Sequence, residues 1–131
     1  YHHLVEDVGI CMGQALRQAL GDKQGIARFG SAIVPMDDAL CMAVVDLSGR
    51  PYLHFNVPVP CAKCGDFDTE LVEEFMRALA NHGQLTLHID LLHGSNTHHV
   101  IEATFKALAL ALRQAVAIDA AQYVPSTKGV L

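Results

Sequence analysis

The feature that most limits what this chain can fold into is a stretch that occurs twice. Residues 2–20, HHLVEDVGICMGQALRQAL, lie over residues 98–116, HHVIEATFKALALALRQAV, without a gap, at an offset of 98 − 2 = 96 residues. Both copies repeat apolar residues three and four apart, the period of an amphipathic helix. That period accounts for the apolar matches. It does not account for His-His, Glu and Arg-Gln returning at the same offsets, so the pattern points to an internal duplication. Strands, a helix and a loop are expected over residues 27–97, ahead of the second copy, whereas only Tyr1 stands ahead of the first. The expected organisation is the end of a first half-repeat (1–26), a second half-repeat (27–117) and a C-terminal tail (118–131), with most of the first half absent.

The remaining elements follow from periodicity and punctuation. The first helix, 2–20, is closed by Gly21. ARFGSAIVPM and ALCMAVVDLS are rich in Val, Ile and Ala and predict two strands, with Pro35 to Asp38 as the turn between them. SGRP is a turn, and YLHFNVPV is a third strand that Pro58 and Pro60 end. A helix is expected from Asp68-Thr69 to Gly83, with Glu73 and Glu74 in its first turn where the helix dipole favours acids. QLTLHIDLL alternates Leu85, Leu87, Ile89 and Leu91, a strand with one buried face. HGSNT is a loop before the second long helix. Strands interleaved with helices predict an α+β domain with helices on one sheet face.

Composition narrows the function classes. Apolar residues make up 51% and charged residues 18%, enough for a packed core and unlike a disordered chain. The net charge is −5 with no block of Lys or Arg, which disfavours nucleic acid and anionic membrane as partners. No apolar run reaches membrane-spanning length. Cys61 and Cys64 form a single CxxC in PVPCAKCGDFD, which reads as a loop. Without a second pair, free thiols in a reducing cytoplasm are expected rather than a structural zinc site.

The duplicated His-His-x-x-Glu carries the chemistry. Residues three or four apart share a helix face, whereas adjacent residues point about 100° apart. In each box the Glu can join one His on an ion while the other His aims elsewhere. Two boxes brought together would serve two metals, each drawing on both halves. Imidazole and carboxylate without thiolate suit Mn, Fe, Co or Zn better than Ca or Mg. Two solvated His pairs at helix starts would leave their recurrence in register unexplained.

GSNTHHVIEATFK (94–106) and HHLVEDVGICM (2–12) resemble the two signature motifs of the imidazoleglycerol-phosphate dehydratase family. GDKQGIARFG, VPMDDAL, VDLSGRPY, GDFDTELVEEF, TLHI and PSTKGVL resemble that family in the same order, across essentially the whole chain. The resemblance implies a duplicated α+β fold of the ribosomal protein S5 domain 2-like type. It also implies two Mn²⁺ ions per active site, and sites at subunit interfaces of a trimer-based 24-subunit cage. The implied reaction is loss of water from imidazole glycerol phosphate to give imidazole acetol phosphate, in cytoplasmic histidine biosynthesis, with metal-held imidazolate acidifying a C–H bond.

Carried over by position, His2, His3 and Glu6 match the first ligand box, and His98, His99 and Glu102 the second. Glu74 stands where many members have a ligating His. Arg28, Arg50, Lys106, Ser126 and Lys128 match phosphate-binding positions, a set of forked, point-charge and hydroxyl donors. Glu6, Glu102 and Asp37 are the candidate acid–base groups. His88 is expected to support its strand, His82 and His93 to be solvated, and neither these nor His54 to ligate. In the family the absent beginning carries a further ligand His and a catalytic acid, so the 131 residues are expected not to complete both metal sites. The rival readings are another di-metal enzyme on this scaffold and a metal-dependent assembly module.

Overall fold

A computed structural model of the chain describes residues 1–118 and 123–131; residues 119–122 of the predicted tail lie outside the described residues. The elements run α1 (His2–Leu20), β1 (Phe29–Met36), β2 (Ala39–Asp46), β3 (Tyr52–Asn56), β4 (Lys63–Cys64), β5 (Phe67–Asp68), α2 (Leu71–Gly83), β6 (Thr86–His93) and α3 (Thr97–Ala115). Four strands form one sheet in the order β1-β2-β6-β3, antiparallel except for the parallel β3–β6 pair. The α+β class expected from the interleaving is what the chain adopts.

The core lies between one face of this sheet and helices α2 and α3. β2 buries Ala39, Cys41, Ala43 and Val45 and half-exposes the residues between them, the alternation a half-buried strand requires. α3 meets this face with Val100, Ala103, Ala107, Ala111 and Ala115, a stripe at helical spacing. Its small residues bring helix and strand so close that a Cβ on Gly30 of β1 would lie 1.9 Å from the Ala111 carbonyl oxygen. α2 covers the rest of the face with Met76, Leu79 and Ala80.

α1 rides on α2 and not on the sheet. Its only buried residues are Gly9 and Gly13, while Leu4, Val8 and Met12 stay exposed. A Cβ on Gly13 would lie 2.7 Å from the Gly83 nitrogen. Gly83, the last residue of α2 as expected, therefore also has a packing role, and Gln84 caps the helix in the left-handed conformation (φ 50) with its N–H on the Ala80 carbonyl. Thr69 lies ahead of α2 and is not helical. It caps the preceding loop, with its hydroxyl donating to the Cys61 carbonyl at 2.7 Å and its N–H to that of Ala62. The stretch read as loop around the CxxC contains the short β4–β5 hairpin.

On the open sheet face His88 sits between the rings of Tyr52 and His54, at centroid distances of 5.6 and 5.3 Å. His54 pairs with Asp90 at 3.0 Å. Among the described residues no helix is long and apolar enough to cross a membrane.

Candidate metal and anion sites

α3 begins as a helix should. Asn96 at its N-cap is extended, and its side chain accepts from the His99 N–H at 3.0 Å. This first turn carries the two histidines of the second box, and the next turn its Glu102. Asp38, in the β1–β2 turn, takes hold of it from below. One carboxylate oxygen pairs with His99 Nδ1 at 2.7 Å, and the other accepts from the Ser95 N–H, the Ser95 hydroxyl and the Asn96 N–H at 2.7 to 3.0 Å. The Ser95 and Asn96 donors and the His99 bond hold the Asp38 carboxyl well below the usual carboxylate range. With Nδ1–H donating to the Asp38 carboxylate, His99 is left with Nε2 as its ligating nitrogen, the orientation metal-ligating histidines commonly have. Asp37, the acid singled out from the sequence, is the weaker neighbour. It is largely exposed and 3.5 Å from His99 Nε2.

His98 and Glu102 lie one turn apart on α3, Nε2 to Oε2, at 3.1 Å. Glu102's other oxygen pairs with Lys106 at 2.7 Å. That hydrogen bond, and the charges of Lys106 and His98, lower the Glu102 pKa from its ordinary value. So Lys106, expected with the phosphate groups, stands with the ligand box in this chain. Cys64 and Phe67 of the hairpin wall the same cleft.

The first box is placed differently. His2 and His3 are exposed, with rings edge to face at 6.1 Å, and Glu6 is half-buried. None of the three makes an ion pair among the described residues, and Tyr1 at the N-cap gives no side-chain bond. Phe67 also lines the apolar cleft beside Leu4, Val5 and Val8, so the hairpin stands between the boxes. Glu74 is on the first turn of α2, half-buried and without an ion pair among the described residues. Among the described residues no three His, Cys, Asp or Glu side chains converge on a point able to hold an ion. One chain thus keeps its boxes apart. The donors of the second box, imidazole nitrogen and carboxylate oxygen, nonetheless suit a borderline divalent ion.

The other candidates gather at the far end of α3. Arg28, Arg50, Ser126, Thr127 and Lys128 line one cleft. Arg28 is fixed by Asp46 through two bonds of 2.7 and 3.3 Å, by the Pro125 carbonyl at 2.8 Å, and by its guanidinium lying 4.7 Å from the centre of the Phe29 ring. Its backbone takes φ 74, left-handed and costly for a residue with a side chain. Ser48 holds Arg50 through both N–H and carbonyl, at 3.1 and 3.2 Å. The Lys128 N–H donates to the Ser126 hydroxyl at 3.2 Å. Cations and hydroxyls on a tight turn are what a phosphate needs.

Sequence reasoning missed Asp38. The available signal was DD in a strand-to-strand turn facing GSNT, where one of two adjacent acids must point at the incoming helix. His93, read as solvated, hydrogen-bonds to the Asp38 carbonyl at 3.1 Å.

Residues 1–112 match the model of the imidazoleglycerol-phosphate dehydratase family. The dehydratase of Desulforudis audaxviator is 65% identical over 130 residues, which cover 99% of this chain and 66% of that protein. That of Roseobacter denitrificans is 64% identical over 132 residues, 99% of this chain and 68% of that protein. The chain thus spans about two thirds of these relatives' length. The crystal structure of the Staphylococcus aureus dehydratase superposes with a TM-score of 0.88 at 52% identity, over 90% of this chain and 69% of that one. The Pyrococcus furiosus structure, a complex with (S)-C348, gives 0.88 at 48% identity over 99% and 71%. Sequence identity and shared fold agree, and the chain belongs to the imidazoleglycerol-phosphate dehydratase family, hydro-lyases of histidine biosynthesis.

Proposed function

We propose that this chain works in the Mn²⁺-dependent dehydration of imidazole glycerol phosphate to imidazole acetol phosphate, in the cytoplasm, at sites completed by neighbouring copies. The observation that carries this reading is a distance. The second box begins at His98, and Arg28 abuts Ala115 at the other end of α3, its N–H on the Ala115 carbonyl at 2.9 Å. At 1.5 Å per residue these ends are about 25 Å apart. A substrate with three carbons between ring and phosphate cannot touch both. A box of one copy beside the anion cleft of another satisfies the geometry, and so does Lys106's place with the box. A trimer-based 24-subunit cage is one closed assembly that repeats such a contact.

His98, His99 and Glu102, joined by His2, His3, Glu6 and Glu74, would hold two ions per site. A bound ion supplies charge stabilisation at the substrate's imidazole. The chain's own groups do the rest. Asp38 keeps a proton on His99 Nδ1 and turns Nε2 outward. Arg28, Arg50, Ser126 and Lys128 clasp the phosphate, fixing the three-carbon chain. Glu6, Glu102 and Asp37 are the carboxylates available to move a proton.

The test is turnover of imidazole glycerol phosphate by the intact protein, with Mn²⁺ and with chelator. Glu102→Gln and Arg50→Gln variants would each be inactive, and mixed oligomers of the two would regain part of the activity, because some sites would contain an intact box and an intact cleft. No turnover by the Mn²⁺-loaded protein sinks the dehydratase reading. No recovery in mixed oligomers sinks the shared site. A metal-dependent assembly module would keep its oligomer in Arg50→Gln, lose it in Glu102→Gln, and turn over nothing.

A further inference from the structure

Lys23 lines neither cleft, yet three observations set it apart. It is buried, 6% exposed. Its ammonium has one hydrogen-bond acceptor among the described residues, the Leu47 carbonyl at 3.3 Å. Its backbone is left-handed, φ 60. Each is costly: a buried lysine is rare without an anionic partner, and a non-glycine residue at positive φ stores strain. The charges around it do not offset the burial. Among the described residues Arg17 and Arg28 are repulsive neighbours, and Asp46, the attractive one there, is already taken up by Arg28. Burial first, and these two cations after it, lower the Lys23 pKa.

The position explains what the cost maintains. Leu47 leads directly into the turn Ser48-Gly49-Arg50, and Ser48 locks that turn onto Arg50. A Cβ on Gly49 would lie 3.6 Å from Lys23 Nζ and 3.0 Å from the carbonyl carbon of Leu131, itself a lining residue of the cleft. Lys23 therefore sits directly under the turn that presents Arg50, on the side away from solvent. From there its charge reaches the cleft through protein and not through water, where screening is weakest. Strain, burial and uncompensated charge converge on one residue behind an anion cleft, and a bound dianion is the group that would balance them.

We infer that Lys23 is a positioning residue of the anion cleft: it fixes the 47–50 turn that carries Arg50 and adds a water-excluded positive charge behind the bound phosphate. This rests on the reading of that cleft as a phosphate site. The probe is inorganic phosphate, titrated into the intact protein by calorimetry, with Mn²⁺ binding measured in parallel. Lys23→Met is expected to weaken phosphate binding about tenfold and to leave Mn²⁺ affinity unchanged, because the box is at the other end of α3. Lys23→Gln, which keeps a donor for the Leu47 carbonyl, is expected to lose nearly as much. Lys23→Arg is expected to recover most of it. Parallel losses of phosphate and Mn²⁺ affinity would overturn the inference in favour of a purely structural lysine. Phosphate binding lost in Arg50→Gln but kept in Lys23→Met and Lys23→Gln would overturn it while leaving the cleft reading intact. No phosphate binding by the unaltered protein, or binding unmoved by Arg50→Gln, would remove the cleft reading itself.

Discussion

The two His-His-x-x-Glu boxes have the same residues at the same helical phase, but their surroundings differ. The box on α3 is capped by Asn96, braced by Asp38, and has both oxygens of Glu102 engaged. The box on α1 has no cap bond and no ion pair among the described residues. The helices are also seated differently, α3 on the sheet through a stripe of alanines and α1 on α2 through two glycines. Even the distal ALRQA diverges: in α3 Gln114 accepts from the Ser31 N–H of edge strand β1 at 2.6 Å, whereas the matching Gln18 of α1 is exposed. A ligand motif specifies which atoms can bind, and the turn beneath it decides how firmly they are aimed.

The sharpest break in the comparison comes from the two seats. Gly30→Ala places a Cβ against the Ala111 backbone, where neither strand nor helix can yield, and should cost about 3 kcal/mol, read as a fall in Tm of roughly 10 °C. Gly13→Ala makes the corresponding intrusion under α1. There the loss is offset by the roughly 1 kcal/mol that Ala gains over Gly inside a helix, and α1 can slide on α2. Its net cost should therefore be well below that of Gly30→Ala. Equal losses would show that α1 is held as rigidly as α3.

Next in size is the brace. Asp38→Ala removes the partner of His99 Nδ1 and three acceptor contacts to Ser95 and Asn96, and should weaken Mn²⁺ binding about 10- to 100-fold, measured by calorimetry on the intact protein. Asp37→Ala should do less, because its carboxylate is exposed and farther from the ring. The reverse order would make Asp37 the orienting acid. Removing the cap by Asn96→Ala should cost about 1 kcal/mol, seen in the denaturation midpoint.

The smallest effect separates the ligand boxes from the histidines of the open sheet face. Asp90 is held below its ordinary pKa by the hydrogen bond from His54. A depressed carboxylate adds stability above its unfolded pKa and loses it as pH falls through the folded value. Wild type should therefore exceed Asp90→Asn by a few tenths of a kcal/mol at neutral pH, the pair being partly exposed, and the gap should close in acid. A gap that persists there would assign the difference to packing.

Much of this could be read from the sequence because it was periodic. Alternation revealed β2 and β6, the i, i+3, i+4 pattern revealed α1, α2 and α3, and repetition revealed the boxes. What escaped lacked periodicity. Asp37 and Asp38 are adjacent in a turn, and only the register of β1 against β2 decides which one faces α3. The β4–β5 hairpin has two residues per strand, too short for any pattern. Gly83 ends α2 as its sequence suggests, and it is also a contact surface, which only the approach of α1 reveals. Lys23 stands in a polar stretch that reads as a surface loop, and its burial comes with the 47–49 segment that lies against it.

The order of strands in the sheet carries a consequence for how this chain acquires its shape. β6 is the last of the described strands in chain order and the one inserted between β2 and β3. The β1–β2 hairpin can close at once, since only Asp37 and Asp38 separate its strands. β2's other edge and the whole of β3 must wait for residues 86–93. Until then β2 has an unpaired edge, and its Ala39, Cys41, Ala43 and Val45 stay uncovered until α3 follows, the condition that invites intermolecular pairing. Slow emergence or early release would be felt first as aggregation of the nascent chain and not as loss of stability in the finished one.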